Sequence, residues 1–267
     1  ARMRRYLSRG HLGASLVGIV MLWGSWQGSL YNSDGVIFAQ MAREMVEAGG
    51  SLELIWQGDV VHQRPPLAVW LLAASVDVLG ESLFALRLPS ILMAMLSLLL
   101  LFFIAVELFG DRRVGWLAVL LLLSLHVFYF FSRTPMTDTT MLAGLLSTIY
   151  LYLRARTSPR LFLAVGAALA WTAMSKNVLA LIPLAVIVVD LLSSLAGRRR
   201  LRTPWPWLGL LVAAALTAPW HLAMTWRHGA AFWEEYIGYN LLRRTSSSLF
   251  QEPEPLYYAK QLLAFEG

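Results

Sequence analysis

The sequence contains no cysteine and few charged residues. Without cysteine, a disulfide framework and any metal site built from thiolates are excluded. Asp, Glu, Lys and Arg make up 14% of the 267 residues, whereas soluble domains carry about 25%. Hydrophobic residues make up 58%, and the mean hydropathy is +0.59. Because so few charges could not cover so much apolar surface in water, the composition predicts an integral membrane protein.

The basic excess, a net charge of +6, does not indicate nucleic acid. Nucleic-acid binding needs basic residues clustered on a soluble face, whereas the arginines here lie at the ends of apolar runs. This placement is typical of the cytoplasmic ends of membrane-spanning helices. Four arginines precede the first apolar run, which has no convincing cleavage site, so we expect an uncleaved signal anchor and not a removed signal peptide.

Membrane spans are predicted from apolar runs that approach the roughly 20 residues needed to cross a bilayer. The clear candidates are 11–30, 88–109, 114–132, 139–155, 161–175, 178–196 and 205–226. An eighth run, 66–80, is shorter and contains Asp77. If this run does not cross, most of the basic residues fall near helix ends on the cytoplasmic side, as the positive-inside rule requires. We therefore predict that 66–80 lies in the interface or re-enters the membrane.

The expected fold is an all-α integral membrane protein, a helical bundle with about seven spans and a cytoplasmic N-terminus. The whole chain, 1–267, is one transmembrane domain with external loops at 31–87 and 227–255, the first of which holds interfacial helices. The final LYYAKQLLAFEG is typical of the opening of another span. We therefore expect the chain to be the front portion of a longer protein or to be truncated at its C-terminus.

The segment DGVIFAQMAREMVEAGG in the first external loop has the spacing of an amphipathic helix. The predicted helix begins at Asp34 and ends at Gly49–Gly50. Its apolar face contains Phe38, Met41 and Met45, and its polar face contains Arg43, Glu44 and Glu47. Such a helix is expected to lie along the membrane surface.

Polar residues that could carry chemistry are predicted to lie at helix ends on the external side. They are Asp34, His62, Arg64, Arg133, Asp138, Lys176, Asn240, Arg243 and Arg244. Arginine and lysine match the charge and geometry of phosphate, and a carboxylate can deprotonate a hydroxyl or an amine. The set therefore fits a site for a phosphate-bearing ligand with a proton acceptor beside it.

Structural roles for the same residues remain open from the sequence. Asp34 could simply cap the helix that follows it, and Arg133 and Asp138 could form a local ion pair within one turn. Lys176 and the Arg243–Arg244 pair could snorkel toward lipid headgroups. His221, which follows Trp220, is more typical of an interfacial residue than of a ligand.

Six segments carry a family resemblance through their order and spacing: YNSDGVIFAQMAREMVEAGG, HQRPPLAVWLLAASVDVLG, ESLFALRLPSIL, FSRTPMTDTTM, SKNVLALIPL and APWHLAM. Together they resemble the polytopic glycosyltransferases of the GT-C class. The relevant superfamily comprises the protein O-mannosyltransferases and the lipid A aminoarabinose transferases. The resemblance covers essentially the whole chain and corresponds to the N-terminal half of a family member.

The resemblance implies roles for individual residues. Asp34 matches the acid that acts as base on the acceptor, and Arg64 matches the basic residue that binds the carrier phosphate. Asp138 and Lys176 match an acidic and a basic position of the external face. The pair Arg243–Arg244 falls where the family has a phosphate-contacting arginine.

The reaction implied is transfer of a sugar, with inversion, from a polyprenyl-phosphate donor to a lipid, glycan or protein acceptor. It would occur at the extracytoplasmic face of a bacterial inner or plasma membrane, with the donor and membrane lipids as partners and no nucleic acid. Two alternatives use the same pocket without catalysis: a lipid-phosphate transporter or flippase, and a silent assembly subunit. The few ionisable residues within the predicted spans disfavour a transporter.

The chain departs from the family pattern at three places. Gly35 follows Asp34, whereas the family usually has Glu after this acid. Gln63-Arg64-Pro65 stands where family members of the aminoarabinose type have Glu-Lys-Pro, and Asn240 lies near the position of a family histidine. Amides are poor zinc ligands compared with carboxylate and imidazole. We therefore predict no zinc at that position, although His62 could compensate and another divalent cation stays possible. The same departures argue against aminoarabinose as the sugar.

Overall fold

A computed structural model describes residues 17–18, 20–30 and 33–243, with the backbone alone at residue 33 and at 240–243. The basic N-terminal run, Arg244 and the segment predicted to open a further span lie outside the described residues. The side chains of Asn240 and Arg243 lie outside them as well. The expectations for these residues therefore stay predictions.

Helices account for most of the described chain. After a helical segment that ends at residue 22, the elements are α1 (Ser33–Glu47), β1 (Ile55–Trp56), β2 (Asp59–Val60), α2 (Leu67–Leu79), α3 (Leu83–Phe109), α4 (Arg112–Ser124), α5 (His126–Ser132), α6 (Thr137–Ala155), α7 (Phe162–Ser175), α8 (Leu181–Ser193), α9 (Leu195–Leu201), α10 (Pro204–His228), α11 (Ala230–Trp233) and a π-helix (Glu234–Arg243). Short 3₁₀ turns, Pro159–Leu161 and Asn177–Ala180, precede α7 and α8. The mostly helical fold is as predicted.

Two described helices, α3 and α10, are long and apolar enough to cross a bilayer by themselves, at 27 and 25 residues. At 1.5 Å per residue each is about 40 Å long, against about 30 Å for the hydrocarbon core. Two bent helix pairs could each provide one more crossing. By length and composition, the described residues thus contain two to four crossing helices, fewer than the spans predicted from hydropathy.

Sharp bends interrupt two of the predicted spans. The run 114–132 breaks at Leu125, where α4 and α5 meet at 77°, and the run 178–196 breaks at Ser194, with a bend of 111°. Ser194 is extended, and its Oγ accepts from the backbone N–H of Gly197, so it caps a new helix, α9. Each of these predicted spans is therefore a bent helix pair, which is either a broken span or a re-entrant segment. The basic RRRLR run begins within a helix.

Two apolar helices are too short to cross by length alone. Helix α2, which follows Pro65–Pro66, has 13 residues, or about 20 Å. This length agrees with the prediction that 66–80 is not a span. Helix α7, even with its preceding turn, is also among the shorter apolar helices. Its length therefore does not support the prediction of a span at 161–175.

Helix α1 has the bounds and the two faces that its sequence predicts. It ends before Gly49, whose φ is +71°. Phe38, Met41 and Met45 are buried against α2 and the adjoining loop, and each contributes about 1.5–3 kcal/mol by burial. Protein therefore covers the apolar face, and the position of α1 along the membrane surface stays a prediction.

A short β-hairpin interrupts the otherwise helical first loop. Ile55 pairs with Val60 and Trp56 with Asp59, around a Gln57–Gly58 turn in which both residues have positive φ. The indole N–H of Trp220 in α10 donates to the carbonyl of Leu52, just before the hairpin, at 2.9 Å. The loop is thereby fixed to the end of the bundle.

The bundle itself packs through small residues. A Cβ added at Gly166 in α7 would lie 1.9 Å from the carbonyl oxygen of Gly209 in α10, so these two backbones are in direct contact. Close approach at small residues is characteristic of membrane helix pairs. Large apolar side chains on the outside, among them Leu120, Val189 and Leu211, are exposed. An exposed apolar exterior is what a lipid environment favours.

Candidate active site

Asp34 and Arg64 face each other across the first loop. Asp34 lies in the first turn of α1, and Arg64 precedes the Pro65–Pro66 step that leads into α2. Arg64 Nη2 is 3.9 Å from Asp34 Oδ1, and the guanidinium lies 4.7 Å from the centre of the Phe38 ring. This distance exceeds that of a direct hydrogen bond. The sequence-predicted base and phosphate ligand are therefore neighbours, and both side chains are partly exposed.

The position of Asp34 in the first turn also gives it a structural role. A negative charge at a helix N-terminus is favourable by about 0.3–1 kcal/mol. Asp34 follows the first helical residue, Ser33, and so lies inside the helix and not at the capping position. A role at the helix terminus and a role as a base are compatible.

Gly35 brings the start of α1 against the turn between α5 and α6. A Cβ at Gly35 would lie 2.8 Å from Thr134 Cγ2, closer than real Cβ atoms come to other atoms. Thr134 is buried, as is the next residue, Pro135. The glutamate that the family pattern has after its acid would therefore not fit here without a shift of this turn.

Asp138 and Lys176 form the second pair of the site. Lys176 Nζ donates to Asp138 Oδ1 at 2.9 Å, with Asp138 in the first turn of α6 and Lys176 directly after α7. Arg133 instead donates to the Tyr129 hydroxyl and the Trp23 carbonyl. The alternative of a local Arg133–Asp138 ion pair was therefore wrong.

A polar cluster at the other end of the loop contains His62. Its buried ring lies 4.5 Å from the ring of His228, and His228 Nε2 is 3.1 Å from Glu53 Oε1. Arg227 also donates to Glu53, at 2.9 Å. This hydrogen bond keeps the pKa of Glu53 below its ordinary value although burial opposes it. Burial, and then the charge of His228, lower the pKa of His62.

His221 makes contacts within the fold. Its Nδ1 is 2.9 Å from the Thr217 carbonyl and its Nε2 is 3.1 Å from the Tyr236 hydroxyl. Because a carbonyl only accepts, Nδ1 carries the proton and Nε2 of the neutral ring accepts from Tyr236. Burial raises the pKa of Tyr236. These bonds agree with a structural role for His221 and fix the π-helix against α10.

The π-helix that contains Asn240 and Arg243 is also tied to the neighbour of Lys176. The side-chain amide of Asn177 donates to the Tyr236 carbonyl at 3.3 Å. The backbone of this helix therefore runs close to the Asp138–Lys176 pair. Whether the side chains at 240 and 243 join the site stays a prediction, because they lie outside the described residues.

Residues 63–222 match the family described as dolichyl-phosphate-mannose-protein mannosyltransferase. The chain belongs to this family. The predicted membership in the GT-C glycosyltransferase superfamily is thereby confirmed.

Related proteins are found among bacterial enzymes. The undecaprenyl phosphate-alpha-4-amino-4-deoxy-L-arabinose arabinosyl transferase of Pectobacterium carotovorum is 27% identical over 252 residues, which cover 91% of this chain and 44% of the relative. The enzyme of the same name from Shewanella sediminis is 26% identical over 238 residues, 86% of this chain and 42% of the relative. The chain thus spans less than half the length of these relatives.

The fold is also that of a solved structure. ArnT from Cupriavidus metallidurans, crystallised with undecaprenyl phosphate, superposes with a TM-score of 0.82 at 17% identity, over 97% of this chain and 49% of that one. Its apo structure gives a TM-score of 0.78 over 96% and 48%. At this identity the match establishes the fold alone.

Residues of this mannosyltransferase-family chain that the sequence analysis missed include Arg87. It is buried near the start of α3 and donates to the carbonyls of Ser25, Gln27 and Ser29, at 3.0, 2.7 and 2.9 Å. It therefore fixes the segment after the first helix, which leads toward Asp34. The arginine inside the largely apolar ESLFALRLPSIL segment could have indicated from the sequence that this residue has a specific task.

Glu53, Arg227 and His228 were also missed. An acid in the first loop and a basic pair after the last apolar run could have suggested contact, but 174 residues separate Glu53 from Arg227. No local pattern links two such positions.

The expectation that no zinc binds near Gln63 stays a prediction. Gln63 offers an amide where a carboxylate would be needed, and no group of three or more His, Asp or Glu side chains in the described ranges could hold an ion.

Proposed function

We propose that this chain forms the catalytic membrane part of a glycosyltransferase. The enzyme takes a sugar from a polyprenyl-phosphate donor and passes it, with inversion, to a lipid, glycan or protein acceptor. The reaction takes place at the extracytoplasmic face of a bacterial inner membrane. The observation that carries this proposal is the Asp34–Arg64 pair, a carboxylate 3.9 Å from a guanidinium in the first loop. Family membership and the names of the relatives support it.

Arg64 binds the phosphate of the donor. A guanidinium presents paired N–H donors that match two phosphate oxygens, and it keeps its charge at every relevant pH. Phe38 lies under its guanidinium plane and limits the orientations of the side chain. As the sugar leaves, negative charge grows on the phosphate oxygen, and Arg64 stabilises that charge.

Asp34 is the base. It takes the proton from the acceptor hydroxyl or amine while the acceptor atom bonds to the anomeric carbon. In the same step the bond from that carbon to the phosphate oxygen breaks, and polyprenyl phosphate leaves with both electrons. A single displacement of this kind inverts the configuration at the anomeric carbon.

Asp138 and Lys176 support the donor side. Their 2.9 Å bond fixes the lysine ammonium where α6 begins and α7 ends. Contacts of the turn at residues 134–136 with α1 connect this pair to Asp34, because Met136 packs in the same cluster as Phe38. The ammonium adds a second positive charge for the donor phosphate.

The decisive test is sugar transfer by the purified protein in nanodiscs, with a radiolabelled polyprenyl-phosphate sugar donor. Asp34→Asn should lower the transfer rate about 10²–10⁴-fold, because a positioned base contributes that much. Asp59→Asn, at the exposed first residue of β2, is the matched control and should transfer normally. Normal transfer by Asp34→Asn would remove the proposed base. Absence of transfer by the unaltered protein would favour a flippase or a silent subunit.

A further inference from the structure

An apolar cavity of about 270 Å³ lies between α7, α8 and α10. Phe162, Val165 and Leu169 line it, so it extends along the first half of α7. Lys176 of the candidate active site directly follows the other end of that helix. The cavity therefore lies toward the end of the bundle opposite the site, and the mechanism above uses none of its side chains.

The described residues that line the cavity are all apolar. The one polar group in their side chains, the indole N–H of Trp207, donates to the Leu201 carbonyl at 2.9 Å. Apolar cavities stay free of water, and one of about 150 Å³ already binds a small hydrocarbon. A cavity of this size and lining therefore favours an apolar occupant.

The cavity has a mouth on the outside of the bundle, formed by Val188, Leu192, Trp207 and Leu210. These four residues line the cavity and are also exposed. In a membrane, lipid covers an apolar exterior of this kind. An acyl chain of a membrane lipid can therefore enter the cavity from the side.

Gly197 brings the basic RRRLR run against this mouth. A Cβ at Gly197 would lie 2.5 Å from the Leu191 carbonyl oxygen, so only glycine allows α9 to fold back onto the end of α8. Arg198 Nε then donates to the carbonyl of Leu192, a mouth residue, at 3.0 Å. The arginines of α9 are therefore held beside the mouth.

The turn between α6 and α7 brings further arginines to the same end of the cavity. Arg160 lies just before Phe162, and its Cζ is 6.0 Å from the centre of the Trp205 ring at the start of α10. Arg200 Nη2 donates to the Arg156 carbonyl at 3.0 Å. This bond joins the turn to α9, so basic residues of two segments are collected at this end.

The positive charge of this end is not neutralised. Among the described residues, no carboxylate forms an ion pair with any of its arginines. Asp190, near the end of α8, accepts instead from the Tyr152 hydroxyl. A basic cluster beside an apolar cavity has the charge and the shape for a phosphate that carries hydrocarbon chains. The arginines are Arg156, Arg160, Arg198, Arg199, Arg200 and Arg202.

We propose that this cavity binds an anionic phospholipid, with an acyl chain between α7, α8 and α10 and its phosphate against the arginines. The lipid holds the bent α8–α9 pair against α10, because residues of all three helices line the cavity. The site is separate from the proposed function, since it lies at the other end of the bundle from the Asp138–Lys176 pair. Basic pockets between membrane helices on the side that the sequence predicts to be cytoplasmic are suited to such lipids.

The first test fills the cavity from its mouth. The full protein is delipidated in detergent, and binding of phosphatidylglycerol is titrated by native mass spectrometry. Val188→Phe should weaken this binding about fivefold, because the acyl chain loses packing contacts that are individually small. Val189→Phe is the matched control, since Val189 is exposed on the same helix and does not line the cavity, and it should bind normally.

The second test removes charge from both basic segments. Arg160→Gln/Arg198→Gln should weaken phosphatidylglycerol binding about 10- to 30-fold, toward the level of phosphatidylcholine, because each arginine near an anionic lipid contributes about fivefold. Arg113→Gln/Arg154→Gln removes two charges at the same end of the bundle, on the side of α3, where Arg154 pairs with Glu107. This control should bind normally.

Thermal unfolding gives an independent readout of the same site. Added phosphatidylglycerol should raise the melting temperature of the unaltered protein and of both controls, because a ligand that binds the folded state stabilises it. The rise should be smaller in Val188→Phe and in Arg160→Gln/Arg198→Gln. A cooperative transition without added lipid shows that each variant is folded.

Three results would overturn this assignment. The first is equal affinity of the unaltered protein for phosphatidylglycerol and phosphatidylcholine, and the second is unchanged binding in both site variants. The third is displacement of phosphatidylglycerol by a polyprenol without phosphate, with polyprenol binding weakened by Val188→Phe but not by Arg160→Gln/Arg198→Gln. That pattern would assign the cavity to the chain of a polyprenyl lipid instead.

Discussion

Lys176 Nζ lies 2.9 Å from Asp138 Oδ1, and this bond joins the end of α7 to the start of α6. The two side chains are 40% and 33% exposed. An ion pair at this level of exposure contributes about 0.2–1 kcal/mol to stability. So small a contribution leaves the pair little structural value. We propose that its main role is in ligand binding.

Substitutions at this pair separate the two roles. Lys176→Met should weaken polyprenyl-phosphate binding about fivefold, because one positive charge near the phosphate is worth about 1 kcal/mol at a partly exposed site. Asp138→Asn and the double variant complete a double-mutant cycle, with donor dissociation constants and free energies of unfolding measured together. Donor binding restored to normal in the double variant would mean that Lys176 serves only Asp138.

Arg64 is predicted to determine donor affinity. Arg64→Ala should raise the dissociation constant for polyprenyl phosphate about 10- to 100-fold, because hydrogen bonds to a charged group contribute about 1.5–3 kcal/mol. Arg64→Lys should recover part of this loss, since lysine retains the charge but not the paired donors. The measurement is lipid binding in nanodiscs.

Arg43 is the matched control for Arg64. It lies on the polar face of α1, where it pairs with Glu81 and is half exposed. Arg43→Ala should leave donor affinity unchanged. Equal weakening by both alanine variants would show a general charge effect and contradict a specific phosphate contact at Arg64.

The sequence predicts local features of this molecule better than contacts between distant segments. The spacing of Phe38, Met41 and Met45 gave helix α1 and its buried face, because helix periodicity is encoded within a few residues. The same periodicity does not report what covers that face, so α2 was missed as its partner. Hydropathy likewise reports the length of an apolar run and not the direction of its helix axis. The bends at Leu125 and Ser194 therefore could not be predicted from it.

For the candidate site, the sequence led us to expect that the residues share one face, but it did not predict their pairing. Asp138 was weighed against Arg133, five residues away, whereas its partner is Lys176, 38 residues away. Tertiary packing of α6 against α7 makes that choice. Arg87 also depends on contacts between distant segments. Its charge is tolerated in an apolar helix because it donates to carbonyls that are distant in the sequence.

The cluster of Glu53, His62 and His228 predicts a pH-dependent stability. The pKa of His62 is lowered from its ordinary 6.5, chiefly by burial and then by His228, against the opposing charges of Glu235 and Glu53. The unfolded chain therefore binds the proton more readily, so stability is lost as pH falls through and below the unfolded value. Glu53, with a lowered pKa, adds a further loss below its ordinary value of 4.5.

Thermal unfolding in detergent as a function of pH tests this relation. The melting temperature should fall between about pH 7.5 and 5.5. His62→Gln should flatten the curve in that window, whereas Glu53→Gln should affect mainly the part below about pH 5. His126→Gln, an exposed histidine outside the cluster, is the control and should leave the curve unchanged. A His62→Gln curve parallel to that of the unaltered protein would contradict the assignment.

Gly35 and Thr134 yield a prediction about the start of α1. An added Cβ at Gly35 would lie 2.8 Å from Thr134 Cγ2, and overpacking of this kind costs about 1–3 kcal/mol. Alanine gains at most about 1 kcal/mol over glycine in a helix. Gly35→Ala should therefore lower the melting temperature, and Gly35→Glu should lower it further and reduce sugar transfer.

Thr134→Ser separates steric crowding from any other effect of the substitution. Serine lacks the crowding methyl group but preserves the hydroxyl, which donates to the Phe130 carbonyl at 3.0 Å. The double variant Gly35→Ala/Thr134→Ser should be more stable than Gly35→Ala alone, whereas Thr134→Ser by itself should lose stability through the missing methyl. Additive losses in the double variant, measured by thermal unfolding, would contradict a direct contact. Rescue would show that this contact excludes a larger residue beside Asp34.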